Sequence, residues 1–204
     1  MENRPIISVL LPTRRRPEML ERSIRSLLDT AKFPSRVEFC IAVDDGDQES
    51  VMQLQQTLSS YLDEKQVECR ANIFRPIGFE NMNAYYNTLA NQSRGKWLVL
   101  WQDDCVMKTD DWDTIVDDHT GLFRLLAMEV NSELTPNYPY ATTPIIPNDW
   151  FILMEHLSPH PQVDAWLSHI AYMLDVYTTV DIEVHHDNPN FTGREPDDTY
   201  LSRV

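Results

Sequence analysis

Short apolar segments alternate with helical stripes along the first hundred residues. The apolar segments are rich in β-branched residues and about as long as buried strands, which predicts strands at 6–11, 37–43, 67–74 and 97–101. Between them, apolar residues recur three or four positions apart, which predicts helices around residues 20–28, 51–62 and 82–89. Strands that alternate with helices favour a mainly parallel sheet flanked by helices on both faces. The pattern therefore predicts an α/β fold.

The second half is less regular. Apolar spacing predicts helices at 112–116, at 122–126 and at 165–174, whereas the four prolines of 131–149 predict a loop or an edge strand. Residues 176–184 alternate between apolar and polar side chains, as a half-exposed strand does. Beyond them the chain becomes polar and rich in turn-forming residues.

The composition changes this picture little. A chain of 204 residues with 42% hydrophobic side chains is the size of one ordinary domain, so we expect a single domain over 1–204. No apolar run approaches the roughly 20 residues of a membrane span, and the N-terminal residues lack the shape of a signal peptide. Three scattered cysteines argue against a disulfide framework. We therefore expect a cytoplasmic protein without a transmembrane segment.

The charge is distributed unevenly along the chain. Residues 1–102 hold equal numbers of basic and acidic side chains, so residues 103–204 carry the whole net charge of −15. An acidic surface repels the phosphates of nucleic acids, and we expect no nucleic-acid partner. A smaller phosphate-bearing ligand would need a divalent cation or a local basic group, and the run Arg14-Arg15-Arg16 is the local basic exception.

Polar residues gather where the predicted strands end. Three such ends read Pro12-Thr13-Arg14-Arg15-Arg16, Asp44-Asp45-Gly46-Asp47 and Gln102-Asp103-Asp104. In open α/β sheets, ligands bind outside the carboxyl ends of the strands. Paired carboxylates after a buried strand need a cation between them, and oxygen ligands suit Mg²⁺ or Mn²⁺. Because the chain has only five glycines and no phosphate-binding glycine loop, metal and arginine would have to hold a phosphate.

The order of these motifs resembles that of a known family. The segments Ser8-Val-Leu-Leu-Pro-Thr-Arg14, Val43-Asp-Asp-Gly46 and Gly95-Lys-Trp-Leu-Val-Leu-Trp-Gln-Asp-Asp104 resemble the nucleotide-binding half of GT-A-fold glycosyltransferases, most closely the small inverting family-2 type. The resemblance covers residues 6–118 and continues more loosely through Asp164-Ala-Trp-Leu167 and through the tail that contains His186, Gly193-Arg194 and Asp198-Thr-Tyr200. It implies a GT-A, Rossmann-like fold with a nucleotide-binding half, 1–104, and an acceptor half, 105–204.

The resemblance also implies a donor site. The residues that would line the nucleotide pocket are Pro12, Thr13, Arg14 and Arg16. Asp44 or Asp45 would accept the uracil N–H, while Asn83 and Asn87 would lie near the nucleoside. From the residues alone, Asp44 and Asp45 have a second interpretation as turn and helix-capping residues.

The same resemblance implies a metal site and a catalytic base. Asp103 and Asp104 stand in the DxD-like motif, with Asp104 as direct ligand of Mn²⁺ or Mg²⁺, although Gln102 replaces the usual first aspartate. His186, or else His185, would complete the metal shell.

Asp164 would take the acceptor's proton, or it merely caps the helix that follows. Cys105 is interpreted as a packing residue, and the group Trp97, Trp101, Trp112 and Trp166 as core.

These residues together predict a metal-dependent glycosyltransferase. It would move a sugar from a nucleotide-diphosphate sugar, expected to be a UDP-sugar, to an unknown acceptor hydroxyl, with inversion implied by the resemblance. One alternative is a sugar-phosphate nucleotidyltransferase on a similar fold, whose glycine- and lysine-bearing N-terminal signature is missing here. A second is a non-catalytic nucleotide-sugar binding module, which the departure at Gln102 favours.

Overall fold

The structure, a computed structural model, describes residues 5–75, 77–131 and 139–201. Within them, eight strands form one sheet: β1 Ile7–Thr13, β2 Val37–Asp44, β3 Glu68–Phe74, β4 Trp97–Leu100, β5 Cys105–Met107, β6 Leu125–Val130, β7 Ile145–Pro147 and β8 Tyr177–His186. The α-helices are α1 Pro17–Thr30, α2 Gln48–Met52, α3 Ser59–Glu64, α4 Met82–Gln92, α5 Trp112–Asp117, α6 Asn148–Met154, α7 Val163–Met173, α8 Pro189–Thr192 and α9 Asp198–Leu201. A π-helical turn, Gln53–Leu58, joins α2 to α3, and short 3₁₀ turns lie at Pro34–Arg36 and Phe79–Asn81.

The sheet is mostly parallel, as predicted. Its strands lie in the order β3-β2-β1-β4-β7-β6-β8-β5. The first four strands of this order pair in parallel, as do β6 and β8. Strand β7 runs antiparallel to both β4 and β6, and β5 runs antiparallel to β8. The chain moves outward from β1 to β3 and then returns to the other side of β1, so a topological switch point lies between β1 and β4.

Apolar layers cover both faces of the sheet, which confirms the predicted α/β architecture. One layer joins the sheet to α1, where Leu20, Ile24 and Leu27 are fully buried. The other joins it to α4 and α7 through Leu89 and Leu167. The packed sheet is therefore rigid, and it holds the first residues of the loops at the carboxyl ends of its strands in fixed positions.

Two predictions for the second half are wrong. The run at 122–126 does not form a helix, because strand β6 begins at Leu125 and its first four residues are buried. Such a short apolar run has no readable period. Of the proline-rich segment 131–149, residues 132–138 lie outside the described residues, and the only strand in the rest, β7, lies inside the sheet between β4 and β6 and not at an edge. Pro147 is the last residue of that strand and α6 follows at once, so this proline marks the end of a strand.

Strand β8 is half-exposed, as its alternation predicts. Val180, Ile182 and Val184 face the core, and the same period puts His186 on the buried face and His185 on the other. Across the described residues we find no helix with the length and apolarity that a membrane span requires.

Candidate functional site

A cavity of about 880 Å³ opens at the carboxyl ends of the parallel strands. It lies beside the switch point between β1 and β4, where α/β sheets commonly bind ligands. Its lining includes eight of the side chains predicted from the sequence, namely Pro12, Thr13, Arg14, Arg16, Asp44, Asp103, Asp164 and His186. Residues from both halves of the chain therefore meet around one space.

The loop after β1 carries a left-handed residue. Arg15 has a φ of 51°, and its backbone N–H donates to Oδ2 of Asp47 at 2.6 Å. A non-glycine residue in this conformation is strained and is held by its surroundings. The Arg15 side chain is exposed, while Arg14 and Arg16 on either side of it line the cavity.

Asp44 and Asp45 occupy different environments. Asp44 is buried at the cavity wall, where it accepts a hydrogen bond from the Tyr85 hydroxyl at 2.5 Å and lies 3.3 Å from Nε of Arg14. Burial and this hydrogen bond raise the pKa of Tyr85 to about 12. Asp45 is exposed and is not part of the cavity lining. The capping role belongs to Asp47, whose side chain accepts the Ser50 N–H at the start of α2.

Arg16 is the centre of a buried charge cluster. Its guanidinium lies 3.0 Å from Asp103, 3.4 Å from Asp104 and 2.8 Å from Asp197, and Thr13 also donates to Asp103. Burial and the neighbouring Asp104 raise the pKa of Asp103, although Arg16 acts in the opposite direction. One guanidinium faces three carboxyl groups, so the cluster favours a further cation.

Asp104 and His186 form a candidate metal centre. His186 Nε2 lies 3.2 Å from Asp104 Oδ1, and ligand atoms of Asp104, Cys105 and His186 lie within 4.8 Å of one another. His186 reaches the cavity, whereas Asp104 lies fully buried behind it. Neither ring nitrogen of His186 has a hydrogen-bond partner among the residues that the structure describes. Because buried polar atoms are normally paired, the unpaired Nε2, which faces Asp104, is an argument for a missing ligand.

The donor set suits a divalent ion such as Mn²⁺. A carboxylate oxygen and an imidazole nitrogen are common ligands of such ions, and diphosphate oxygens and water would supply the rest. Burial, with the charges of Asp104 and Asp103, raises the pKa of the Cys105 thiol well above its usual value. Cys105 is fully buried in the apolar layer that contains α1, in agreement with its interpretation as a packing residue.

Asp164 lies in the first turn of α7 and lines the cavity. Burial raises its pKa, although backbone N–H groups of Ala165 and Asp164 itself act in the opposite direction. The N-cap position of α7 belongs to Gln162. A carboxylate in a cavity with a raised pKa is suited to accepting a proton.

Asn83 and Asn87 are not brought to the cavity. Their side-chain amides donate to the Ser158 carbonyl at 3.4 and 3.0 Å, and Asn87 also accepts the Leu157 N–H. The sequence placed them one turn apart on a helix, but that face of α4 points to the loop before α7. This position differs from the expected contact with a nucleoside and gives both residues a role in fixing the loop.

The sequence reasoning gave no role in the site to two groups of cavity residues. The C-terminal segment contributes Asn188, Asn190, Phe191, Thr199 and Tyr200. Its Asp197 binds Arg16 bidentately, and Thr199 donates to the Arg14 carbonyl at 2.8 Å. The other group is Tyr140, His160, Gln162, Trp166 and His169.

Trp166 corrects a specific prediction. Trp97, Trp101 and Trp112 are core residues as expected, but Trp166 is 37% exposed. The buried stripe of α7 is Val163, Leu167 and Ala171, and its spacing already leaves Trp166 outside the packed face.

Comparison with known proteins identifies the family. A sequence model described as glycosyl transferase family 2 matches residues 8–158. A search of curated proteins found no match. The predicted class, a glycosyltransferase, is thus confirmed at the level of the family.

Solved structures agree in fold. S. aureus TarS 1–349 in complex with UDP-GlcNAc has a TM-score of 0.64 at 14% identity, over 97% of this chain and 61% of that one. The mannosyltransferase PcManGT from Pyrobaculum calidifontis, in complex with GDP-Man and Mn²⁺, has a TM-score of 0.70 at 12% identity, over 90% and 57%. The chain thus spans about three fifths of each matched structure. With three quarters of its length matched by the family model, the chain belongs to glycosyl transferase family 2.

Proposed function

We propose that the protein transfers a sugar from a nucleotide-diphosphate sugar, with uridine as the nucleoside, to an acceptor hydroxyl. The observation that carries the proposal is a single cavity whose lining includes Arg14, Arg16, Asp103 and Asp164. Cationic side chains and a metal centre suit a diphosphate, and a carboxylate of raised pKa suits a hydroxyl. The two solved structures of similar fold contain UDP-GlcNAc and GDP-Man, which are also nucleotide-diphosphate sugars.

The nucleotide would bind along the loops after β1 and β2. Asp44, which already accepts one hydrogen bond from Tyr85, has a further oxygen for the uracil N–H. Arg14 lies within ion-pair distance of Asp44 and is the more accessible of the two cavity arginines. Arg16 holds the acidic cluster together and would set the position of Asp103 toward the ribose.

A divalent ion would be held by Asp104 and His186. When bound, it would neutralise the charge that develops on the leaving diphosphate. His186 is fixed for this task by its strand, because its backbone N–H donates to Asn131 Oδ1 at 3.0 Å and its carbonyl accepts from Asn131 at 2.8 Å.

The chemical step would use Asp164 as general base. As the acceptor oxygen attacks the anomeric carbon, its proton passes to a carboxylate oxygen of Asp164. The bond between the anomeric carbon and the diphosphate oxygen breaks, and the nucleoside diphosphate leaves with the electron pair. Attack on the face opposite the leaving group inverts the anomeric centre.

The test is a donor screen. Purified protein is incubated with UDP-GlcNAc, UDP-glucose, UDP-galactose or GDP-Man, with and without Mn²⁺, and the nucleoside diphosphate that is released by slow hydrolysis, with water in place of the acceptor, is measured. We expect release from a UDP-sugar that depends on Asp164. Release from none of the donors, together with no calorimetric binding of UDP, would refute the proposal.

A non-catalytic nucleotide-sugar binding module is a second candidate. It is favoured by Gln102 in place of the first motif aspartate and by Arg16, which already neutralises part of the acidic pair. UDP binding without any release from the donors would select this alternative.

A further inference from the structure

The cavity has an aromatic wall beside Asp164. We call Tyr140, His160, Gln162, Trp166 and His169 the acceptor wall. Trp166 follows Asp164 by two residues on α7, and the ring of His169 packs edge-on against Tyr140 with centroids 5.2 Å apart. Rings and hydrogen-bonding groups thus occur together in the lining of the cavity that also holds Asp164.

An exposed tryptophan here calls for an explanation. The other four tryptophans, Trp97, Trp101, Trp112 and Trp150, are at most 1% exposed, whereas Trp166 is 37% exposed and lines a cavity. A large apolar ring on the wall of a cavity gains free energy when a ligand covers it. The apolar C–H face of a sugar ring fits such a surface, while the sugar's hydroxyls need polar partners such as Gln162 and His160.

The charges restrict the class of acceptor. Among the described residues that line the cavity, Arg14 and Arg16 are the only arginines or lysines. Both lie in the loop after β1 and within ion-pair distance of aspartates. The acceptor wall contains no arginine or lysine and adjoins Asp164, in the half of the chain that carries the net negative charge. An acceptor bearing phosphate or carboxylate groups would be repelled there.

The cavity is large for a small-molecule site. Pockets of this kind measure about 300–1,000 Å³, and this cavity of about 880 Å³ lies near the upper end of that range. Its lining includes the strand-end residues Arg14 and Asp44 as well as Asp164 and Trp166.

We propose that the acceptor is a neutral carbohydrate whose sugar ring stacks on Trp166 and presents a hydroxyl to Asp164. This inference rests on the proposed function, since it names the acceptor class of the same site. It differs from an acceptor such as a phosphorylated sugar, a peptide or a lipid in both charge and shape.

The single exposed tryptophan supplies a direct probe. Because the other four are buried, acrylamide should quench Trp166 selectively, and a stacked sugar should protect it. Methyl glucoside, methyl galactoside, methyl N-acetylglucosaminide, cellobiose and chitobiose are titrated with and without UDP, next to glucose 6-phosphate and a threonine peptide. Trp166→Phe removes the signal of the exposed ring and gives the background of the buried rings.

Affinity is measured separately by calorimetry on variants. We expect Trp166→Ala to weaken binding of the neutral saccharide by about 10- to 100-fold and Trp166→Phe to weaken it less. Met173→Ala changes an exposed residue of the same helix that is outside the cavity lining, and it should bind like the parent protein. UDP affinity should be the same in all three variants.

The outcomes separate this inference from the proposed function. Protection of Trp166 by neutral saccharides in the parent protein, together with calorimetric saccharide binding that Trp166→Ala weakens and Met173→Ala does not, supports it. UDP binding without any saccharide protection overturns the acceptor class and leaves the donor assignment standing. Equal or tighter binding of glucose 6-phosphate or of the peptide also overturns it.

Discussion

Nε2 of His186 lies 3.2 Å from Oδ1 of Asp104. The pairing of two strands creates this contact, because β5 and β8 run antiparallel with Cys105 opposite His186. The backbone N–H of Asp187 also donates to the Asp104 carbonyl at 2.8 Å. A residue from the end of β8 is thus fixed against the motif that follows β4, and the candidate metal centre depends on both halves of the chain.

The first prediction concerns this centre. His186→Ala should weaken Mn²⁺ binding in the presence of UDP by at least about tenfold, since even partners outside the ligand shell contribute about 10- to 100-fold. Calorimetry with Mn²⁺ titrated into the UDP complex measures the effect. The control is His185→Ala, on the other face of the same strand, which should leave the affinity unchanged. If both variants bind Mn²⁺ like the parent, the metal lies elsewhere.

The second prediction concerns base recognition. Asp44 lines the cavity and Asp45 does not, so Asp44→Ala should weaken UDP binding by about 1–3 kcal/mol, the cost of an unpaired polar group. It should also remove most of the preference for UDP over GDP and ADP. Asp45→Ala serves as the matched control and should keep both affinity and preference. A parent protein that binds all three nucleotides equally would contradict the base-reading role of Asp44.

The third prediction concerns stability at the opposite end of the strands. Glu38 is fully buried and accepts hydrogen bonds from Ser8 at 2.5 Å, the Arg94 N–H at 2.6 Å and Arg70 at 2.5 Å. Glu38→Ala should lower the free energy of unfolding by about 3 kcal/mol, the low end for a broken buried pair, because both arginines can turn toward solvent. Glu68→Ala removes an exposed partner of the same arginines and should cost under about 1 kcal/mol.

The same carboxylate should make stability depend on pH. Burial alone would raise the pKa of Glu38, but the hydrogen bonds from Ser8, Arg94 and Arg70 outweigh it and the pKa is lowered. Its contribution is therefore complete above the ordinary glutamate pKa and is lost as pH falls through the lowered value. Urea unfolding across acidic pH should show this loss in the parent and a weaker one in Glu38→Gln. An identical pH dependence would show that Glu38 does not contribute.

The sequence predicts the strands best where nearly every residue of the strand is apolar and buried. Strands β1, β2 and β4 are mostly apolar and are buried on both faces, and the polar residues after them could be expected at one edge of the sheet. Asp103 and Arg16 do meet there, 3.0 Å apart. In contrast, the apolar residues of β6 have no clear period and β7 has only three residues, so pairing with their neighbours determines their structure.

Long-range partners could not be predicted from local patterns. Asp197 looks like one more acidic residue of a polar tail, yet it binds Arg16 through two hydrogen bonds, at 2.9 and 2.8 Å. Asn83 and Asn87 have a spacing that suits a ligand, but the packing of α4 directs them to a loop. The exposure of Trp166 follows from the face that α7 buries, which the spacing of its apolar residues indicates but does not fix.

The last prediction separates chemistry from binding at Asp164. If this residue is the general base, Asp164→Asn should keep the shape of the cavity and the affinity for a UDP-sugar while lowering turnover by about 10²- to 10⁴-fold. If its role is only to support the start of α7, the substitution should leave turnover almost unchanged, because asparagine serves helix starts nearly as well. Asp149 and Glu155 are other acidic residues of this half, but both are exposed and neither lines the cavity. Asp149→Asn is therefore the matched control.

The pH dependence of turnover is a second test of Asp164 as the general base. The base must be deprotonated to accept the acceptor's proton, and burial raises the pKa of Asp164 above that of an ordinary aspartate. Turnover should therefore decline on the acid side at a higher pH than an exposed aspartate would give, and donor affinity should not follow the same curve. Release of nucleoside diphosphate from a UDP-sugar, measured across acidic pH, reports both quantities. A profile that Asp164→Asn leaves unaltered in shape and height would assign the proton transfer to another group.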